Sequence, residues 1–199
     1  MSEDPTRTRG SYPKGQARRQ QIVDAALAVF AKSGYHSGSL REIAKRVGLT
    51  PAGVVHHFAS KEALFTEVLT QRDARVREAA GDVSENSLLE QTRKVVAYNQ
   101  STRGLTSLYT VISAEATNAE HPAHEYFVDR YEQGRVLAEA TLRDAIAHGR
   151  LRADLDVAHA ARLIPAVMDG LQQQWLLDDS FDMTAAFDEF LRGYLRPPD

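Results

Sequence analysis

The sequence predicts an all-α protein. Three observations carry this expectation. Apolar residues recur at three- and four-residue spacing along most of the chain, as one buried helix face requires. No convincing run alternates apolar with polar residues, and no Asn-Gly pair stands between apolar runs to close a hairpin. Capping residues and glycines also sit where the helical stripes begin and end.

Residues 1–14 are polar, with two prolines and a glycine, and read as an arm. From Gln16 the pattern turns helical. Ile22, Ala26, Val29 and Phe30 share one face, and Gly34 suits the position after a helix end, where positive φ is needed. Ser39-Leu40-Arg41-Glu42 is a capping-box pattern: the serine oxygen accepts from the Glu42 N–H, and the glutamate reaches back to the serine N–H. Leu40, Ile43, Ala44 and Val47 then form a stripe that Gly48 ends, so a helix of about eight residues is predicted over 40–47. Thr50 fits an N-cap and Pro51 the first helical position, where a missing N–H costs nothing. Val54 and Phe58, four apart, share the inward face of this second short helix. Ser60 opens a third, longer helix through Ala63, Leu64 and Val68 toward Gly81.

The remainder reads as helices near 85–100, 104–118, 122–148, 157–177 and 184–195. Pro122 suits a helix start. Pro165 falls inside an apolar helical run, where it is expected to kink the helix and free a carbonyl. The resulting division is an arm over 1–14, a three-helix unit over 15–62 and a helical body over 63–199.

Charge is distributed unevenly. Residues 1–62 hold ten Lys and Arg against five Asp and Glu, whereas residues 63–199 hold fourteen against twenty-two. A net charge of +5 on the head and −8 on the body points to a polyanionic partner for the head alone, or to chance clustering. The absence of cysteine excludes disulfides, Cys-ligated zinc and a thiol nucleophile. The first residues lack the apolar core of a secretory signal, and no apolar stretch of about eighteen residues exists to span a membrane, so a cytoplasmic protein is expected. No GxSxG, glycine-rich phosphate loop or His-Glu-x-x-His is present; no enzyme activity and no cofactor are expected.

Two short helices joined by a tight glycine turn, with Leu40, Ile43, Ala44, Val47, Leu49, Val54 and Phe58 as their packing residues, form a helix-turn-helix. Helices this short need support from the helix before them. A short rigid helix of this kind fits the major groove of DNA.

The stretch SLREIAKRVGLTPAGVVHHFASKEAL resembles the DNA-binding module of the tetracycline-repressor (TetR) family of transcriptional regulators. The resemblance spans about residues 16–69, and MDGLQQQWLL is similar to the family's penultimate helix. It implies a homodimer with two helix-turn-helix heads that binds a palindromic operator in double-stranded DNA. It also implies a body that binds a small-molecule effector and releases the operator in response, most often as a repressor. By this resemblance Ser39 caps the leading helix and Arg41 lies in its first turn as a base or phosphate contact. Thr50 caps the recognition helix beside a phosphate. Ala52 and Gly53 lie at its groove-facing start, and His57 takes the position before an aromatic residue. Lys61 meets a phosphate at the next helix start. Pro51, Ala52 and Val55 depart from the family pattern, replacing a polar, a glycine and a tyrosine position. Specificity then falls to thymine-methyl contact, His56, Arg41 or DNA shape.

Several features keep a second reading. His56 and His57 are adjacent on a helix and point about 100° apart, which disfavours one shared metal ion. His121 and His124, spaced i, i+3, are a weak metal-site pattern, and no metal is assigned. Arg18 and Arg19 are phosphate contacts or an exposed face; Arg7, Arg9 and Lys14 are minor-groove contacts or a mobile tail. The helices near 157–177 and 184–195 offer Leu163, Val167, Leu171 and Trp175, and Phe187, Phe190, Leu191 and Tyr194, for a four-helix dimer interface or for intrachain core. Tyr98, Tyr109, Phe127, Tyr131 and Trp175 are candidate linings for an apolar or aromatic effector. The alternative, a helical small-molecule-binding protein or enzyme that never meets DNA, stays open on the sequence alone.

Overall fold

The computed structural model describes residues 11–81 and 88–195. Among these, nine helices run in order and no strand occurs: α1 (Ser11–Ser37), α2 (Leu40–Arg46), α3 (Pro51–His57), α4 (Lys61–Ala80), α5 (Leu88–Ser101), α6 (Arg103–Glu115), α7 (His124–Ala147), α8 (Val157–Leu177) and α9 (Met183–Leu195). The chain divides into two compact units, residues 1–70 and 71–199. The border falls within α4, because its first turns bury Leu64, Phe65, Val68 and Leu69 in the first unit. Arg7 and Arg9 lie outside the described residues, as does the start of the helix expected near 85. Ser11–Lys14, assigned to the arm on composition, are the first turn of α1.

The first unit, the head, is built on α1. Ile22, Val23, Ala26, Val29 and Phe30 are all buried. Phe65 packs edge-on to Phe30, with ring centroids 5.1 Å apart, and 4.7 Å from Tyr35. Gly34 adopts φ 69°, so the helical conformation breaks where expected; a short further turn then runs to Ser37. Gly38 is buried against this corner. A Cβ there would come within 2.6 Å of Phe30 Cδ1 and 2.8 Å of the Gly34 carbonyl oxygen. The second contact is backbone and cannot swing away. Gly38→Ala should therefore destabilise the head by about 1–3 kcal/mol, read as a lower thermal midpoint.

The caps set the ends of α2 and α3. Ser39 Oγ accepts from the Glu42 N–H at 3.1 Å. The reciprocal half of the expected box is not the contact found: Glu42 instead accepts from Arg46 Nη2 at 2.9 Å, one turn on, because an i+4 arginine offers a charged donor. Gly48 takes φ 66°, and Leu49 N–H returns to the Ala44 carbonyl at 2.9 Å, closing the turn. Thr50 Oγ1 accepts from the Gly53 N–H at 3.1 Å, with Pro51 at the helix start. Val54 and Phe58 are buried, as their spacing predicts. Ser60 Oγ accepts from the Ala63 N–H at 3.1 Å and opens α4.

In the second unit, the body, α8 packs against α6, α7 and α9, and α9 against α5. Its core gathers Leu142, Ile164, Trp175, Met183, Phe187 and Leu191. Asp156 caps α8, accepting from the His159 N–H at 3.0 Å. α8 runs from Val157 to Leu177 with Pro165 inside it, as the sequence places it. None of the described helices is long and apolar enough to cross a membrane.

Candidate nucleic-acid interface

The caps and the inward pair Val54 and Phe58 leave one side of α3 facing out. Pro51, Ala52, Val55 and His56 are exposed, and Gly53 and His57 are half-buried. The two histidine rings meet edge-on, 5.7 Å apart, rather than converging on one point. Their neighbours are small, so the outward surface is low and smooth. Thr50 and Ser39 are exposed at the two caps.

The cations divide into two kinds. Arg41 is exposed in the first turn of α2 and has no hydrogen-bond or ion-pair partner among the described residues. Lys45 and Lys14 are also exposed. Others are held by the head itself. Arg19 Nη2 reaches Glu67 Oε2 at 3.0 Å, and its guanidinium lies 4.3 Å from the Phe58 ring centroid. Arg19 thus closes the end of α3 onto α1 and α4. Arg18 donates to Gln21 at 2.8 Å.

Lys61 Nζ donates to the His36 carbonyl at 3.2 Å and sits 4.4 Å from the Tyr35 ring centroid. The Tyr35 hydroxyl donates to Glu62 Oε1 at 2.7 Å. That bond holds the exposed Glu62 carboxyl below its ordinary range, while burial first, and then Glu62, push the Tyr35 hydroxyl well up. The sequence places Lys61 at a helix start; it does not reveal this tether to the end of α1.

The five aromatic residues proposed for one cavity separate in the body. Tyr109 and Tyr131 come together, their hydroxyls 3.2 Å apart, and line a cavity of about 310 Å³ with Thr110, Ser113, Thr117 and Asp169. Phe127 packs behind them, 5.4 Å from Tyr109, but does not line the cavity. Tyr98 and Trp175 are elsewhere. Trp175 is buried in the α8–α9 core, with the Arg103 guanidinium 5.0 Å from its ring centroid. Phe187 and Leu191 are likewise intrachain core, because α9 turns that face toward α5 and α8.

Sequence reasoning missed the charged residues beside this cavity. Arg72 and Asp73 of α4 are both buried, and Arg72 Nη1 donates to Asp73 Oδ1 at 3.1 Å. Arg130 Nη1 donates to Asp73 Oδ2 at 2.6 Å, and the Tyr126 hydroxyl donates to the same oxygen. Arg72 stacks 4.2 Å from the Tyr109 ring centroid. Burial, with Arg130 close by, pulls the Arg72 guanidinium below its usual range. The Tyr131 hydroxyl donates to Asp169 Oδ2 at 2.6 Å, and burial raises the Asp169 carboxyl. Asp169 was legible as the one carboxylate in an otherwise apolar run of α8; Arg72 and Asp73 carry no such signal.

A larger hollow of about 370 Å³ lies beside Arg93, Arg150 and Arg192, but each arginine is held by a carboxylate: Asp188, Asp144 and Glu189 respectively. His121 precedes α7 rather than sharing a helix face with His124. Its Nδ1 accepts from the Ala123 N–H at 3.1 Å, and His124 Nδ1 lies 2.8 Å from the Ala116 carbonyl. The described residues hold no group of three metal-ligating side chains.

Comparison with known proteins agrees with this geometry. The family described as "Bacterial regulatory proteins, tetR family" matches residues 22–68, and "BetI-type transcriptional repressor, C-terminal" matches residues 85–196. The HTH-type transcriptional repressor AcnR of Corynebacterium diphtheriae is 31% identical over 157 residues, covering 77% of this chain and 78% of that protein. Among solved structures, the regulator FadR of Bacillus subtilis in complex with stearoyl-CoA superposes with a TM-score of 0.73 at 20% identity, covering 90% of this chain and 99% of that one. A transcriptional regulator of Saccharomonospora viridis in complex with choline gives 0.74 at 22% identity, covering 90% and 98%. These two likenesses establish the fold. An exposed, capped α3, described residues that form helices and no strand, and matches to both families lead to one conclusion: the chain belongs to the TetR family of bacterial transcriptional regulators and not to an enzyme family.

Proposed function

We propose that the protein is a ligand-responsive repressor that binds a near-palindromic operator as a homodimer and leaves it when a small molecule occupies the body. The observation that carries this reading is the exposed face of α3. Ala52, Val55 and His56 sit on a helix fixed at both ends, and the unpartnered Arg41 stands in the first turn of the preceding helix α2. Small apolar side chains meet thymine methyls, and Arg41 or His56 reads a base edge or a phosphate. Ser39, Thr50, Pro51, Gly53, His57 and Lys61 frame that face and orient it against the sugar-phosphate backbone.

Pairing through α8 and α9 is supported by what those helices leave uncovered. Leu163 is exposed, and Val167, Leu171, Phe190 and Tyr194 are only half-buried, although all are apolar or aromatic. A two-fold axis through such a stripe makes a four-helix contact. Two recognition helices then read half-sites about 34–36 Å apart. The sequence of α4 contributes to both head and body, which makes it the element through which an effector acts. A coupling of about 1–3 kcal/mol is enough for a 5- to 150-fold change in operator affinity.

The test is the salt dependence of binding in two single variants. Lys61→Ala should weaken binding to every duplex and flatten the logarithmic salt slope by about one. It should also lower the thermal midpoint slightly, since Lys61 is tied to His36 and Tyr35. Arg41→Ala should weaken binding with no change in midpoint. Full retention of affinity by both variants would contradict the assigned face.

A further inference from the structure

The cavity of the body is unusual in what its wall offers. Ser113 Oγ donates to the Thr110 carbonyl at 3.1 Å, and Thr117 Oγ1 donates to the Ala114 carbonyl at 2.8 Å. The Tyr109 hydroxyl donates to the Tyr131 oxygen, and Tyr131 donates to Asp169 Oδ2. Four hydroxyl protons are thus spent within the protein. The Tyr109 oxygen also accepts from Arg130, so the hydroxyl oxygens that present lone pairs to a guest are those of Ser113, Thr117 and Tyr131. Asp169 Oδ1 is buried and has no hydrogen-bond partner among the described residues. A buried carboxylate oxygen left this way costs more than an unpaired neutral group. Only Thr110 and Gln173 in this wall can still donate as readily as accept.

The wall's one formal charge is also negative. The two nearby arginines do not line the cavity. Arg72 is 2% exposed, stacked behind Tyr109 and paired with Asp73, and Arg130 shares the same carboxylate. Burial raises the Asp169 carboxyl; the Tyr131 hydrogen bond and then the charges of Arg130 and Arg72 work against that rise and favour its ionised form. A guest in this space therefore meets acceptors, the edges of two tyrosines and one carboxylate. At about 310 Å³ the cavity is at the small end for ligand sites.

We propose that this cavity takes a small organic cation bearing N–H donors, a protonated amine on an aromatic or apolar body, with Asp169 as its counter-ion. This rests on the reading that the body binds an effector, and it narrows that effector from merely apolar to donor-bearing and cationic. The ammonium sits between Asp169 and the hydroxyl oxygens; the apolar part lies against Tyr109 and Tyr131. A quaternary ammonium of the same shape supplies the charge but no hydrogen bond, so it leaves the acceptors unpaired.

The experiment is calorimetric titration of the full chain, without DNA, against four probes: 2-phenylethylammonium, its trimethylammonium counterpart, 2-phenylethanol and 3-phenylpropionate. The expected result is binding of the primary ammonium at least tenfold tighter than any of the others. Asp169→Asn, which keeps the acceptor for Tyr131, should remove that preference. Gly170→Leu should block binding altogether, because the glycine lines the cavity and a Cβ there meets nothing within 4 Å. Equal binding of the quaternary probe, tighter binding of the carboxylate or alcohol, or no binding of any probe would overturn the proposal. A mobility shift with the same probes separates the two readings. Tight amine binding that leaves DNA affinity unchanged keeps the ligand class and removes its role as effector.

Discussion

Replacing Val55 by glutamate is expected to lower affinity for operator DNA about a hundredfold, roughly 2.8 kcal/mol, without unfolding the head. The reason is positional. Val55 is 41% exposed in the middle of α3, and its neighbour Val54 is fully buried. A carboxylate at 55 adds a negative charge where phosphates approach and removes an apolar surface that would meet thymine methyls. Glutamate has a better helix propensity than valine, so an exposed position inside α3 tolerates it. The thermal midpoint should stay within about 2 °C of the parent. The same substitution at Val54 should instead unfold the head, since it buries a charge without a partner. Mobility-shift titration and a melting curve on the two variants check both halves. Normal DNA binding by Val55→Glu would mean that this face of α3 does not meet the duplex.

The second large effect concerns assembly. Leu163→Asp should convert a dimer into a 22.1 kDa monomer and reduce operator binding to the level of a single head. Leu163 is 42% exposed in the isolated chain, one helical turn from the half-buried Val167. Its loss removes little intrachain packing. In a two-fold contact, however, each copy presents the same stripe, so the change brings two carboxylates toward an apolar centre. Sedimentation equilibrium reads the mass directly. A variant that remains dimeric would move the interface off this part of α8.

The head was largely legible because its short-range signals agree. Ser39, Thr50 and Ser60 each accept the bond that capping predicts, Gly48 supplies the positive φ of the turn, and Val54 and Phe58 fall inward at their four-residue spacing. Such signals depend only on neighbours in the chain. What failed depends on competition or distance. Glu42 was free to reach Ser39 but met Arg46 at i+4. Helical periodicity identified apolar faces on α8 and α9 but not which neighbour each would meet, so Trp175, Phe187 and Leu191 became core while Leu163 stayed outside.

The cavity was the least legible region. Tyr109 and Tyr131 were named from composition, but the contact between their hydroxyls joins residues 22 apart in the chain. The Arg72, Asp73, Tyr126 and Arg130 cluster spans more than fifty positions, and no local pattern marks it. Tyr98 and Trp175 share the aromatic chemistry of the others but do not line this cavity, and Trp175 belongs to the body core. The ligand class proposed for the cavity rests on the hydrogen bonds around Asp169, not on the aromatic residues.

The most direct test of the whole account is the stoichiometry of the protein on duplexes selected from a random pool, measured by sedimentation at two salt concentrations. The account predicts two chains bound to one near-palindromic site with half-sites about one helical turn apart, and affinity that falls steeply as salt rises. Selected sequences without two-fold symmetry, bound by single chains, or an absence of salt-dependent affinity for any duplex, would contradict it.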